Sequence, residues 1–168
     1  MARKNKPNHV SKEYLLKSLV TLMQENAYDN ISITDITSAA GVSRMAYYRN
    51  YARKDEIITK YVLAVAADVN EKTPGDWLVT LFKELSEECF ALECALGRAI
   101  ENAHCHQLLS ESVYTALVQK FGEDAVKDNA WVSIMIGAFC GAFISCSKEG
   151  SADLVKVYTR KLEILASI

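Results

Sequence analysis

The chain has 168 residues, half of them hydrophobic and 24% charged, with a formal net charge of −2. That length suits one domain, or a small module fused to a larger one, and the apolar content excludes a disordered chain. Seven glycines and two prolines exclude collagen-like and low-complexity classes. Taken over the whole chain, the charge gives no sign of a polyanionic partner.

Residues 1–9 read as a basic arm without the apolar core of a signal peptide. Ser11 is expected to cap a helix whose buried stripe is Tyr14, Leu15, Leu19, Leu22 and Met23, ending near Asn26–Asn30. Ser32 or Thr34 caps a short helix through Ala40, with Ser32 and Asp35 spaced as a capping box. Gly41 closes that helix, and Ser43 caps another from Arg44 to about Tyr51. Lys54-Asp55-Glu56 opens a longer helix through Val69, with Ile57, Ile58, Tyr61, Val62 and Val65 on its apolar face.

Thr73-Pro74-Gly75 is the clearest break, and Pro74 suits the first turn of a new helix. Helical periodicity resumes at Trp77 and continues, less cleanly, through Phe121 before Gly122. A long apolar stretch follows from Glu123 to Ser147, and Ser151 starts a last helix. No alternating strand pattern exceeds four residues, so the fold is expected to be all-α. The five cysteines (Cys89, Cys94, Cys105, Cys140, Cys146) include no close CxxC pair. They read as reduced thiols in a cytoplasmic protein.

The stretch from Thr34 to Tyr51 places two short helices about a tight Gly41 turn, the local geometry of a helix-turn-helix. Ile36, Ala39, Ala40 and Val42 supply small apolar residues for close packing. The second helix is rich in Arg44, Tyr47, Tyr48, Arg49 and Asn50, side chains able to reach base edges and phosphates. A plain helical hairpin with a solvated polar face would also explain the turn. Charge distribution favours DNA: residues 1–60 hold ten Lys/Arg against six Asp/Glu, and the remainder nine against fifteen. A head of +4 is thus joined to a body of −6, and the basic charge sits with the turn.

The run Ile33-Thr-Asp-Ile-Thr-Ser-Ala-Ala-Gly-Val-Ser-Arg-Met-Ala-Tyr-Tyr-Arg-Asn-Tyr-Ala-Arg-Lys-Asp-Glu-Ile57 resembles the N-terminal signature of TetR-family transcriptional regulators. The likeness extends over residues 11 to about 60: Ala40-Gly41-Val42-Ser43 matches the turn, Tyr47-Tyr48 the aromatic pair, and Lys54 the lysine opening the fourth helix. Met45-Ala46 replaces a more usual Gly/Ala-Thr pair, Asn50 stands where Tyr or His is common, Tyr51 replaces Phe, and Arg53 a frequent Ser. The resemblance implies that Tyr48 and Lys54 contact phosphate, and that Ser43, Arg44, Ala46 and Tyr47 lie at the major-groove face. Thr34, Met45 and Asn50 complete the expected DNA-facing set. The implied architecture is a three-helix helix-turn-helix domain over 1–60 and a ligand-binding and dimerisation domain over 61–168.

Beyond residue 75 the reading is physical. Ala130–Ser147 carries no charge, and Ser133, Gly137, Gly141 and Ser145 recur every four residues as a stripe of small side chains. Its length reaches the lower limit of a membrane span, but the interspersed serines and the absence of a flanking Lys/Arg bias argue against one. A dimer interface accounts for it better, with Leu154, Tyr158, Leu162 and Leu165 of the last helix completing a four-helix bundle. Trp77, Phe82, Cys89, Phe90, Tyr114 and Trp131 are candidates to line an effector pocket, with Arg98 or His104 as polar anchors, although most would serve equally as ordinary core. Cys94, His104, Cys105 and His106 have no recognised zinc spacing, and His104 and His106 point in different directions on a helix. No metal or cofactor is expected.

These readings lead to a homodimeric, ligand-responsive repressor that binds double-stranded DNA at a palindromic operator. The alternative is a TetR-like protein-interaction partner without specific DNA binding, hinted at by Met45 and Asn50. No Ser-His-Asp or Cys-His arrangement, phosphate loop or carboxylate pair suggests an enzyme.

Overall fold

The computed structural model describes residues 7–91, 103–127, 129–149 and 152–167. Pro7 opens the first helix, α1 (Pro7–Glu25), four residues before the expected cap at Ser11. Proline has no N–H to leave unsatisfied in a first turn, so residues 7–9 of the supposed arm are helical. Leu15, Leu16, Leu19, Val20 and Met23 form its buried stripe. A one-turn 3-10 helix over Tyr28–Asn30 then leads into α2 (Ile33–Ala39) and α3 (Arg44–Tyr48).

Local chemistry sets this pair. The Ser32 hydroxyl accepts from Asp35 N while the Asp35 carboxylate accepts from Ser32 N, a complete capping box. Gly41 takes φ +63°, the left-handed conformation that glycine adopts without steric cost. The Ser43 hydroxyl then accepts from Ala46 N at 3.1 Å and starts α3. α3 stops at Tyr48, three residues before the expected end.

α4 (Asp55–Asp68) packs against α1 on one side and the body on the other. A boundary at residue 60 therefore cuts a helix that head and body share. Within the periodic stretch between Pro74 and Phe121 the described residues form α5 (Pro74–Ala91) and α6 (Ala103–Phe121). A single turn, α7 (Glu123–Val126), follows, and then α8 (Ala130–Glu149) and α9 (Ala152–Ala166). α4 lies along α6, while α5, α8 and α9 pack on one another. At Gly75 an added Cβ would come within 2.8 Å of Trp131 and 3.0 Å of Ala166, so the start of α5 tolerates no side chain. The described residues contain no strand, and no helix among them is long and apolar enough to cross a membrane.

Candidate nucleic-acid interface

Anchoring of α3 decides what it presents. Tyr47 and Tyr51, one turn apart, are both buried, with ring centroids 5.6 Å from each other. Burial, reinforced by the Glu56 charge, pushes both phenols up to about 12. Tyr47, expected at the DNA-facing surface, is therefore a core residue. The i, i+4 spacing of the two tyrosines was the available signal. Arg49 caps α3 with helical dihedrals, so Met45 and Arg49 stand one turn apart on the side nearly opposite Tyr47. Arg44, Met45, Tyr48 and Arg49 are exposed, as are Ser43 and, on α2, Thr34. Ala46 and Asn50 are half-buried, and the Asn50 side chain donates back to Ala46 O at 2.9 Å. The resemblance did not carry over Arg49, which the geometry puts at the centre of the outward face.

The connection from α3 to α4 is clasped by side chains of α4. Glu56 accepts from Ala52 N at 3.2 Å and pairs with Lys60 at 2.8 Å, while Lys60 Nζ donates to Asn50 O at 2.7 Å. Lys54, expected to contact phosphate, makes hydrogen bonds within the chain. Its Nζ donates to the carbonyls of Tyr28 and Ile31, the latter at 2.9 Å, and sits 4.2 Å from the Tyr28 ring centroid. It thus ties the 3-10 turn to the start of α4. Beside it the Tyr28 hydroxyl donates to Asp55 Oδ1 at 2.5 Å, and His104 Nε2 of α6 lies 3.4 Å from the same oxygen. Burial alone would raise the Asp55 pKa, but the Tyr28 and His104 hydrogen bonds outweigh it and leave the carboxyl below its ordinary value.

His104, expected as a pocket anchor, thus serves the junction of head and body. Trp77 and Phe82 are fully buried, edge-on to Phe121 and Phe139 at 6.2 and 5.8 Å. They lie in the core. Trp131 is half-buried and donates from Nε1 to Leu165 O at 3.3 Å. Tyr114 does line a half-open groove of about 520 Å³, with Ser110, Glu111, Thr115, Ser133 and Ile136. Cys94 and Arg98 fall outside the described residues, as do the side chains of Cys89 and Phe90.

On α8, Ser133, Gly137 and Gly141 face outward beside Ile134, which is 62% exposed, while Ser145 is half-buried. Val132, Met135, Phe139 and Cys140 take the opposite, inward side. The α9 residues expected at the interface pack on their own chain to differing degrees. Leu162 is buried in its own chain, and Leu154, Tyr158 and Leu165 lean on the same core. Val157 and Ile164, two turns apart, are the exposed apolar side chains of α9.

Lys54→Ala should lower unfolding stability by about 1–3 kcal/mol, because two carbonyls lose their charged donor; chemical denaturation measures it. Asp55 contributes stability that is complete above the ordinary carboxylate pKa and is lost as pH falls through its lowered folded value. Between pH 5 and about pH 3 the urea midpoint of the unsubstituted protein should therefore fall more steeply than that of Asp55→Asn.

No family model and no curated protein matches the sequence. Ten solved chains do match in structure. The dihydroxyacetone kinase operon activator DhaS is 17% identical, with 95% of this chain and 96% of that one covered at a TM-score of 0.56. FadR of Thermus thermophilus, described as a TetR-family transcriptional repressor in complex with lauroyl-CoA, is 15% identical, with 92% of each chain covered at a TM-score of 0.46. With a helix-turn-helix head continued through α4 into a helical body, the chain has the TetR-like fold.

Proposed function

We propose that the protein is a DNA-binding transcriptional regulator and not an enzyme, acting in the cytoplasm as a homodimeric, ligand-responsive repressor. The observation that carries this reading is the outward face of α3. Arg44, Met45, Tyr48 and Arg49 stand exposed on a helix whose opposite side is anchored by Tyr47, within a head of net charge +4. Two such helices would enter successive major grooves of a palindromic operator, about 34–36 Å apart. Thr34, Ser43, Ala46 and Asn50 flank that face, and Tyr48 supplies a hydroxyl for phosphate. The body, at −6, turns away from the polyanion.

The effector site we assign to the groove along α6, lined by Tyr114, Ser110, Glu111 and Thr115. The first turn of α6 carries His104, whose imidazole meets Asp55 at the start of α4. A ligand that shifts α6 would pull on that contact and reorient the head. Ser133 belongs both to the groove and to the small-residue stripe of α8, so effector and dimer surfaces adjoin. Val157 and Ile164 supply the α9 half of the dimer surface in this reading.

Selection of bound fragments from genomic DNA, followed by gel shifts, tests the reading. Arg44→Ala and Arg49→Ala should each cost about 1–3 kcal/mol of operator binding, whereas Lys54→Ala should leave the salt slope unchanged. No specific complex at low salt would favour a protein-interaction role instead. Gly141→Glu tests the dimer. Nothing lies within 4 Å of a Cβ at that position, so the single chain keeps its fold. Two carboxylates would then face each other across the two-fold axis, and sedimentation velocity should report a monomer. A dimer that survives places the interface elsewhere.

A further inference from the structure

Met45 is 68% exposed, more than any other large apolar side chain among the described residues. Nothing in α3 requires it there. The helix is held by the Ser43 cap and by Tyr47 on the opposite side, and Met45 serves neither. A single exposed apolar side chain is ordinary on a surface; what singles out Met45 is its place on the outward face of α3, between two arginines. Its immediate neighbours narrow the choice. Arg44 precedes it, Arg49 follows one turn later on the same side, and Tyr48 is 48% exposed beside them. A cationic surround suits a polyanion better than an apolar protein groove.

A methionine brings no strong donor or acceptor, so it cannot read the hydrogen-bonding pattern of base edges. The major groove offers one apolar group, the 5-methyl of thymine. Methionine is unbranched and polarizable, and so adapts to a methyl whose position depends on the docking angle. We propose that Met45 is a specificity-determining residue that selects one thymine in each operator half-site through its 5-methyl group. This rests on the DNA-binding reading above, and adds to it which base the outward face prefers and by what contact.

The test uses the full chain and a random-sequence duplex pool, from which the half-site motif is enriched. Each thymine of that motif is then replaced singly by deoxyuridine, which deletes the methyl and leaves every hydrogen-bonding group in place. One position per half-site should lose about fourfold in affinity, the effect of uncovering one buried methyl group. Met45→Ala should bind the thymine duplex correspondingly more weakly and be indifferent to uracil at that position. Its thermal unfolding should match that of the unsubstituted protein, since the side chain is exposed. A motif without thymine, a motif at which no uracil substitution matters, or an equal uracil penalty in Met45→Ala overturns the role of Met45 alone. Failure to enrich any motif overturns the DNA-binding reading, and the role of Met45 with it.

Discussion

The node formed by Tyr28, Lys54, Asp55 and His104 fixes how the head meets the body. Lys54 donates to two carbonyls of the α1–α2 connection, that of Tyr28, which also accepts from Ile31 N within the 3-10 turn, and that of Ile31. Tyr28 returns a hydrogen bond to Asp55 in the first turn of α4, and His104 reaches the same carboxylate from α6. Three segments distant in sequence thus share one small polar cluster. Each member is partnered, so hydrogen bonds offset the desolvation of the cluster while it sets the direction in which α4 leaves the head. The position of α3 relative to the body follows from that direction.

α3 itself is too short to be stable by helical propensity. It persists because Ser43 caps its first turn, Tyr47 and Tyr51 sink into the head, and Glu56 and Lys60 clasp the loop behind it. The same devices leave its other side without intramolecular duties. In the proposed function the exposed side chains there, two arginines, a methionine and a tyrosine, are the ones given to DNA.

In the body, core and surface divide along α8. One side carries Val132, Met135, Phe139 and Cys140 into contact with α5, α6 and α9, and the other shows small residues and Ile134. Small side chains cost little in exposed apolar area and allow a close approach between backbones, which suits a self-complementary contact. Ser133 at the groove joins this surface to the candidate effector site.

Short-range signals were legible without coordinates. The capping box of Ser32 and Asp35, the left-handed Gly41, the Ser43 cap and the Pro74 start depend on residues at most four apart, as does the periodicity that marks each helix. The all-α class and the helix-turn-helix followed from those. What periodicity cannot say is which neighbour meets a given face. Tyr47 and Tyr48 are adjacent and chemically alike, yet one is core and the other surface, because packing of α3 on the head chooses between them. Lys54 finds its carbonyls 23 and 26 residues away, and His104 finds Asp55 49 residues away. Leu162 likewise turns inward because α5 and α8 lie on that side of α9. The amino-acid order by itself therefore determined where α2, α3, α4 and α5 begin, how the turn is made and where the charge resides. Only the tertiary structure decided which side chains of α3 are buried anchors and which stand exposed, since that depends on contacts that local spacing does not encode.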